Sequence, residues 1–513
     1  MDKKEDVPLG MKMARCAERI FLVLFCMTFS AVLFGVVFYN TEYQHTAVST
    51  LALILVALQG YLMIYRALSR HITWLTRYFH WIVGVALLLL FAGNLWFGLQ
   101  LRFSPIFDLG AIFDGAQYWV ETGSFMHPDN WAAQQNYYYY FGNNLGGLTC
   151  FYLVFSLGVF LGMRDYYLMA LLFTSICVVI TVCLSVLIAR RCFGLCQAMM
   201  ALVFFLTSLP FWFMGATFYT DSLSIVFPVA MMYLYLRYCD VQLKKRRYLW
   251  LLLLGVVSGL GIFIKATVGV MLVAILIYHL CTKGLLASVA LFLPFALALL
   301  LCTGVTRWVE SNHMEQDKID QLQTPALHWV MMSLRRDNGR YNGEDYTFTR
   351  SFEDTQLRDE MIQQEIITRI KERGFSGMYQ LFFNKSIVVF GDGTYGQSDF
   401  LDDNPVSRGA LHEYVLYDGT QREDYASVCT GVFFAITALV ICSAVDLLFD
   451  IKKKARQYIP QLAVFGIWLF LMCWECTARY TTNYVPMMIL CAVSGVACLD
   501  RLLATRFTKK NVQ

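Results

Sequence analysis

The sequence predicts an all-α polytopic membrane protein of about twelve or thirteen membrane segments, joined to a mixed domain on one side, and three observations carry that prediction. Of its 513 residues 58% are hydrophobic and only 15% are charged, a balance that excludes a soluble globular protein. Apolar runs of the roughly 20 residues that a bilayer crossing needs recur along most of the chain. Lys and Arg gather at alternate ends of those runs, as they do where short loops are retained on the cytoplasmic side.

Thirteen apolar runs fall near residues 19–39, 48–65, 79–100, 145–162, 166–189, 193–213, 219–239, 248–264, 266–282, 284–306, 428–449, 461–478 and 484–503. The first follows a basic stretch with Lys3, Lys4, Lys12, Arg15 and Arg19. It is too long for a signal peptide and lacks a small-residue cleavage site, so it is expected to stay as an anchor. Arg66, Arg70 and Arg77 mark one inner loop, Lys244 to Arg247 a second, and Lys452, Lys453, Lys454 and Arg456 a third. Arg501, Arg506, Lys509 and Lys510 mark an inner C-terminus. Counting from these clusters divides the chain into a membrane module, 1–306, with a first outer loop at 101–144; an extracytoplasmic domain, 307–427; and C-terminal membrane helices, 428–513. The middle segment holds 34 Asp, Glu, Lys and Arg residues, including 21 of the chain's 37 acids, and is therefore solvated.

One stretch resists the count. Three apolar runs between residue 145 and Asp221 would leave Asp221 inside, against the basic pair Arg190 and Arg191. If that pair is cytoplasmic, 145–162, interrupted by Gly146, Gly147 and Gly158, dips into the membrane without crossing. Re-entrant backbone is tolerated where protein or a wet cavity covers it, so a cavity is expected nearby.

The candidate site residues lie at the outer ends of these runs. RFSPIFDLGAIFDGAQYWVETGSF, from Arg102, reads as a short interfacial helix that holds Asp108 and Asp114 near the surface. A carboxylate there can take a proton from an attacking hydroxyl, although on this segment alone an ordinary hydrated loop acid is the favoured reading. In NYYYYFGNN, Tyr137 to Tyr140 read as an interfacial aromatic belt, while Asn143 and Asn144 suit hydrogen bonds to a sugar or a lipid phosphate. Asp221, in YTD, either caps a helix or serves a site; the two roles are compatible. Lys265, between two apolar runs with almost no turn sequence, either snorkels to headgroups or meets a phosphate. In WECTARYTTNYVP, Glu475 and Arg479 are spaced for an ion pair on one helical face, while Arg479 with Tyr480 presents a forked cation and a phenol to a phosphate.

The sixteen cysteines lie almost wholly in apolar runs and none falls within 307–427, so the outer domain does not rely on disulfides. Cys473 and Cys476 form C-x-x-C without the strand-and-helix setting of a redox site. Within the outer domain, a helix is expected over Phe352–Arg373, capped by Ser351 and stopped by Gly374. Met378–Phe390 is expected along the surface with Lys385 facing headgroups, and acceptor choice is assigned to this region as a hypothesis.

In order along the chain, FDLGAIFDGAQYWVETG, FGNNLGG, FYTDSLS, GIFIKAT, PALHWVMMSL with GRYNGEDY, FGDGTYG and WECTARYTTNYVP resemble polytopic glycosyltransferases of the GT-C fold, in particular bacterial relatives of the protein O-mannosyltransferase and aminoarabinose transferase group. The resemblance covers most of the chain from about Phe79. It implies transfer of a sugar from a polyprenyl-phosphate donor to an acceptor hydroxyl of a cell-surface glycan, lipid or protein. The protein would sit in a bacterial plasma membrane with its site facing outside and no nucleic-acid partner. Asp108 then corresponds to the catalytic base and Asp221 to the second outer acid, while Lys265 and Arg479 match the residues that hold the donor phosphate, beside Tyr480, Glu475, Asn143 and Asn144. The chain departs from the best-known members in two extra spans before Phe79 and in the absence of a second acid after Asp108. Metal ligands are therefore unassigned and a divalent cation is left open as cofactor. The competing class, a transporter or lipid flippase, needs many spans but no charged outer domain of this size, and it favours internal repeats with midplane charges.

Overall fold

A computed structural model describes residues 9–40, 46–335, 338–401, 405–450 and 458–510. Lys3, Lys4 and the Lys452–Arg456 cluster lie outside the described residues, as do the side chains of Lys12, Arg15, Arg506, Lys509 and Lys510. The protein is helical throughout. Fifteen helices frame the site: α1 Leu9–Phe38, α2 Ala47–Arg70, α3 Ile72–Gln100, α4 Phe107–Thr122, α5 Leu145–Phe160, α6 Tyr166–Cys192, α7 Leu195–Thr207, α8 Val226–Asp240, α9 Lys244–Ile264, α10 Gly269–Lys283, α11 Phe292–His313, α12 Thr355–Phe390, α13 Arg422–Asp450, α14 Ile459–Cys473 and α15 Val485–Lys510. Among the described residues eleven helical segments are long and apolar enough to cross a membrane. The shorter α7 and α14 account for the other two of the thirteen expected runs.

Ion pairs align the helix ends. At one end Arg66 of α2 meets Asp500 of α15 at 2.6 Å, Asp446 of α13 pairs with Arg501, and Arg191 pairs with Asp240. Arg190 rests on the Phe79 ring, 4.3 Å from its centroid. At the opposite end Arg102, just after α3, grips Asp165 through two bonds of 2.8 and 2.9 Å. Asp165 also caps α6, accepting from the Leu168 amide.

That last pair settles how α5 runs. Its first turn lies against the C-terminal end of α9, where Gly146 touches the Phe263 carbonyl, and its last turn packs on the start of α6, with Phe155 against Tyr166. Both ends of α5 therefore lie on the face that carries the loops. Leu153, Leu157 and Phe160 point outward, Phe160 being 85% exposed, so the helix is immersed in apolar surroundings along one flank without passing through. The α7 helix and the broken chain after it make the next crossing. Asn94 of α3 ties that broken chain down, donating to the Phe211 carbonyl and accepting from the Gly215 amide.

Two apolar cores follow from this layout. The larger joins α1–α3, α6–α10 and α13–α15 around Phe25, Phe205, Tyr235, Phe433 and Tyr484. The smaller, around Phe113, Phe151, Phe155 and Phe218, seats α4 and α5 beneath the loop face.

The segment between α11 and α13 differs from its expected mixed character. Among the described residues it holds helices and turns, and its one pairing with the first loop is an isolated antiparallel bridge from Phe103 to Pro405. The long helix begins later than expected because Asp354, not Ser351, caps it, accepting from the amides of Gln356 at 2.8 Å and Leu357 at 3.2 Å. Gly374 does interrupt it, at φ +57°, a conformation only glycine adopts cheaply. The chain beyond starts on the surface, with Phe375 and Tyr379 exposed, but from Leu381 it turns into the fold instead of lying along the surface. Ile387 and Phe383 pack on Gly35 of α1, and Lys385 is fully buried, donating to the Met472 carbonyl at 3.0 Å and the Trp474 carbonyl at 2.8 Å. The end of α14 leaves carbonyls without amide partners, and the ammonium satisfies two of them.

Candidate functional site

The first turn of α4 places Asp108 at the mouth of a cavity of about 380 Å³ on the loop face. Its walls come from distant parts of the chain: Phe107 and Asp108, Arg340 and Tyr341, Asp399 and Phe400, and Glu475 to Thr477 with Arg479. The volume falls within the roughly 300–1,000 Å³ of small-molecule sites.

Three carboxylates face this space, and each accepts a short hydrogen bond from a tyrosine hydroxyl. Tyr137 donates to Asp108 Oδ1 at 2.7 Å, Tyr480 donates to Glu475 Oε2 at 2.7 Å, and Tyr417 donates to Asp399 Oδ1. A phenol bonded to one oxygen fixes the carboxylate's rotamer. Asn144 supports the first of these pairs, donating to the Tyr137 hydroxyl at 2.6 Å, and Tyr219 lies 3.4 Å from both Asp108 Oδ2 and Asn144 Oδ1. Asn143 reaches only its neighbour Asn144, at 3.4 Å. The tyrosine run is thus not a belt. Tyr137, Tyr138 and Tyr139 are buried, because the short helix they form packs inward against α4 and the chain after α11.

Among the described residues Arg479 is, with Arg340, one of two arginines that line the cavity. Its guanidinium lies over the rings of Phe400 at 5.0 Å, Tyr219 at 5.3 Å and Tyr480 at 5.4 Å, and among the described residues its Nε has no hydrogen-bond partner. The expected helical pairing of Glu475 with Arg479 does not form. Residues 474–477 leave the helix and Ala478–Tyr484 is a 3₁₀ turn, so the two side chains are not stacked at α-helical spacing. Burial pushes the Glu475 carboxyl up, against the opposing pull of the Tyr480 hydroxyl and the Arg479 and Lys265 charges. Burial likewise raises Asp399, opposed by its hydrogen bond from Tyr417.

Asp221 and Lys265 meet each other. Their side chains are 3% and 11% exposed and form an ion pair that does not line the cavity. Lys265 therefore does not snorkel. Its ammonium sits 4.7 Å from the Tyr480 ring centroid, directly behind the Tyr480–Glu475 pair, and Asp221 Oδ2 is buried without a partner among the described residues. Asp221 is not a helix cap, since the short helix Thr220–Leu223 has no side-chain cap.

The structure adds residues that the sequence reading passed over. Asp399 follows a turn in which Asp392 accepts from the amides of Thr394 at 2.7 Å and Gly396 at 2.9 Å. Gly396, at φ +65°, lets that turn lie against Arg479. The FGDGTYG string was visible, but nothing in it pointed to the acid three residues beyond. Arg340 and Tyr341 sit in the equally visible GRYNGEDY. Elsewhere Asp114 accepts from the Trp131 indole at 3.2 Å and stays outside this cavity. None of the sixteen cysteines forms a disulfide, Cys473 and Cys476 included. Among the described residues no three His, Cys, Asp or Glu side chains converge as a metal ion requires, so the divalent cation left open by the sequence finds no preformed donor set there.

The chain belongs to the family described as "Conserved hypothetical integral membrane protein", whose model matches residues 10–497. No curated protein matches the sequence. Among solved structures it is similar to the crystal structure of ArnT from Cupriavidus metallidurans bound to undecaprenyl phosphate. The two are 14% identical over 82% of this chain and 78% of that one, with a TM-score of 0.36.

Proposed function

We propose that this integral membrane protein is a glycosyltransferase that moves a sugar from a polyprenyl-phosphate donor to an acceptor hydroxyl, in a cavity on the outer face of a plasma membrane. One observation carries the reading: a phenol-clamped carboxylate, Asp108, and a guanidinium with an uncommitted Nε, Arg479, open onto the same cavity at the edge of the membrane-spanning helices.

The acceptor hydroxyl loses its proton to Asp108 Oδ2, in place of that oxygen's long 3.4 Å contact with Tyr219, as its own oxygen bonds to the sugar's anomeric carbon. The bond from that carbon to the phosphate oxygen breaks, and the electron pair leaves with the phosphate. Charge grows on the leaving oxygen, and Arg479, placed beside three aromatic rings, stabilises it with little reorganisation. Tyr137 and Asn144 keep Asp108 in position. Asp221 and Lys265 act one layer back, steadying Tyr480 and through it Glu475. The outer-face assignment rests on the basic residues Arg66, Arg190, Arg191 and Arg501 at the other end.

The test is transfer of radiolabelled sugar from polyprenyl-phosphate donors by the purified protein in lipid vesicles. Asp108→Asn should lower the rate by about 10²–10⁴-fold, the usual contribution of a general base, at unchanged insertion. Arg479→Ala should weaken polyprenyl-phosphate binding more than it disturbs folding. Near-normal transfer by the first variant and unaltered donor affinity in the second would together remove the proposal, and donor movement across the bilayer without transfer would favour a flippase.

A further inference from the structure

Beside the main cavity lies a second one, of about 210 Å³, lined by Arg335, Asn338, Arg340, Tyr341 and Asn342. Arg340 and Tyr341 line both, so the two spaces meet across a two-residue threshold. These residues belong to the GRYNGEDY stretch, which the proposed transfer step leaves without a task.

The threshold has a distinctive surface. Tyr341 is 57% exposed and leaves one face of its ring accessible beside both cavities. It is backed by an aromatic stack: Tyr346 lies 6.4 Å from Tyr341 and parallel to Phe141 at 5.8 Å and 2°. Arg350 is clamped between the rings of Tyr140 and Tyr346, 3.3 and 3.7 Å from their centroids. The Tyr341 ring lies at the edge of this stack, tilted 49° to Tyr346. Around it stand two amide side chains. Asn342 caps the helix Gly343–Arg350, which fixes its position, and Asn338 accepts from the Arg340 amide at 3.4 Å. Of the two arginines that line the second cavity among the described residues, Arg335 is engaged by Glu344 and Asp345. Among the described residues no aliphatic side chain lines the second cavity.

From this we infer that the second cavity is the acceptor subsite and that it takes a saccharide chain, its ring stacked on Tyr341 and its hydroxyls bonded by Asn338, Asn342 and the Arg340 guanidinium. An exposed aromatic face matches the C–H face of a pyranose, and amides match its hydroxyls. A lipid acceptor would need apolar walls, which are absent among the described residues. The inference rests on the proposed transfer reaction and narrows its acceptor from glycan, lipid or protein to a glycan.

The experiment is saturation-transfer NMR on the full-length protein in detergent with malto-, cello- and chito-oligosaccharides of increasing length. Polyprenyl-phosphate binding is measured on the same sample. At least one series should bind, more tightly with length. Tyr341→Ala should weaken that binding about tenfold or more, while Tyr341→Phe, which keeps the ring face, should stay within about twofold of wild type. No binding by any series, or binding indifferent to Tyr341→Ala, overturns the inference, as does preferential binding of a Ser/Thr peptide or a short-chain phospholipid that is lost in Tyr341→Ala. If polyprenyl phosphate still binds in those cases, only the acceptor assignment falls; if it does not bind either, the transfer reaction falls with it.

Discussion

Replacing Asp221 by Asn would test whether the ion pair behind the cavity wall holds that wall in place. The substitution keeps the shape of the side chain and removes its charge, leaving the Lys265 ammonium buried at 11% exposure. Breaking one partner of a buried pair costs about 3–5 kcal/mol, because the surviving charge stays desolvated. Here the Tyr480 ring, 4.7 Å from the ammonium, retains part of the attraction, so the lower end, about 3 kcal/mol, is expected. Removing both charges in Asp221→Asn with Lys265→Met eliminates the uncompensated ammonium, and the double variant should return to within about 1 kcal/mol of wild type. The assay is equilibrium unfolding in mixed micelles of increasing SDS fraction, followed by tryptophan fluorescence. A cost under about 1 kcal/mol for the single variant, or a double variant no more stable than the single, would refute the reasoning that the pair is buried and mutually compensating.

Three further outcomes follow from other parts of the structure. His328 is buried, its Nδ1 2.7 Å from the Thr349 hydroxyl and its Nε2 without a partner among the described residues, and burial lowers its pKa to about 4. An unfolded chain would take up a proton near pH 6.5 that the folded protein refuses. Stability should therefore fall by up to about 3 kcal/mol as pH drops from 6.5 to 4, and His328→Gln should flatten that part of the pH profile of SDS unfolding. Gly396→Ala forces a side chain to φ +65° with its Cβ 3.1 Å from Arg479 Cβ; it should cost about 1–2 kcal/mol and weaken polyprenyl-phosphate binding, measured by titration. Lys385→Met strips a charged donor from two buried carbonyls and should destabilise the protein by about 2 kcal/mol or more in the same unfolding assay.

The membrane architecture was legible because it is written in composition and in the side on which Arg and Lys sit. Even the odd segment at 145–162 could be suspected from Arg190 and Arg191. The convergence of Asp108 and Arg479 on one cavity could be suspected too, since each lies at the loop-bearing end of an apolar run. What the sequence hid were interactions made across the fold. Lys385 looks like a headgroup-facing lysine until α14 is seen to end against it, and Lys265 looks solitary until Asp221, 44 residues away, closes on it. The four tyrosines read as a belt because a belt depends only on position along the membrane normal, whereas the hydrogen bond from Tyr137 to Asp108 depends on how two short helices pack. Glu475 and Arg479 have i,i+4 spacing but lie where the α-helix has already given way, so spacing alone misassigned their contact.

The path of α5 has a consequence for how the chain reaches the bilayer. A segment that turns back on itself leaves its following turn, around Gly162, on the side from which it came, so the insertion machinery need carry no hydrophilic stretch through the lipid at that point. Cysteines introduced at Gly123 and at Gly162 of an otherwise cysteine-free variant should accordingly react with the same membrane-impermeant thiol reagent, applied from the same side. A hydropathy plot that counted this helix as a full crossing would assign the two positions to opposite compartments.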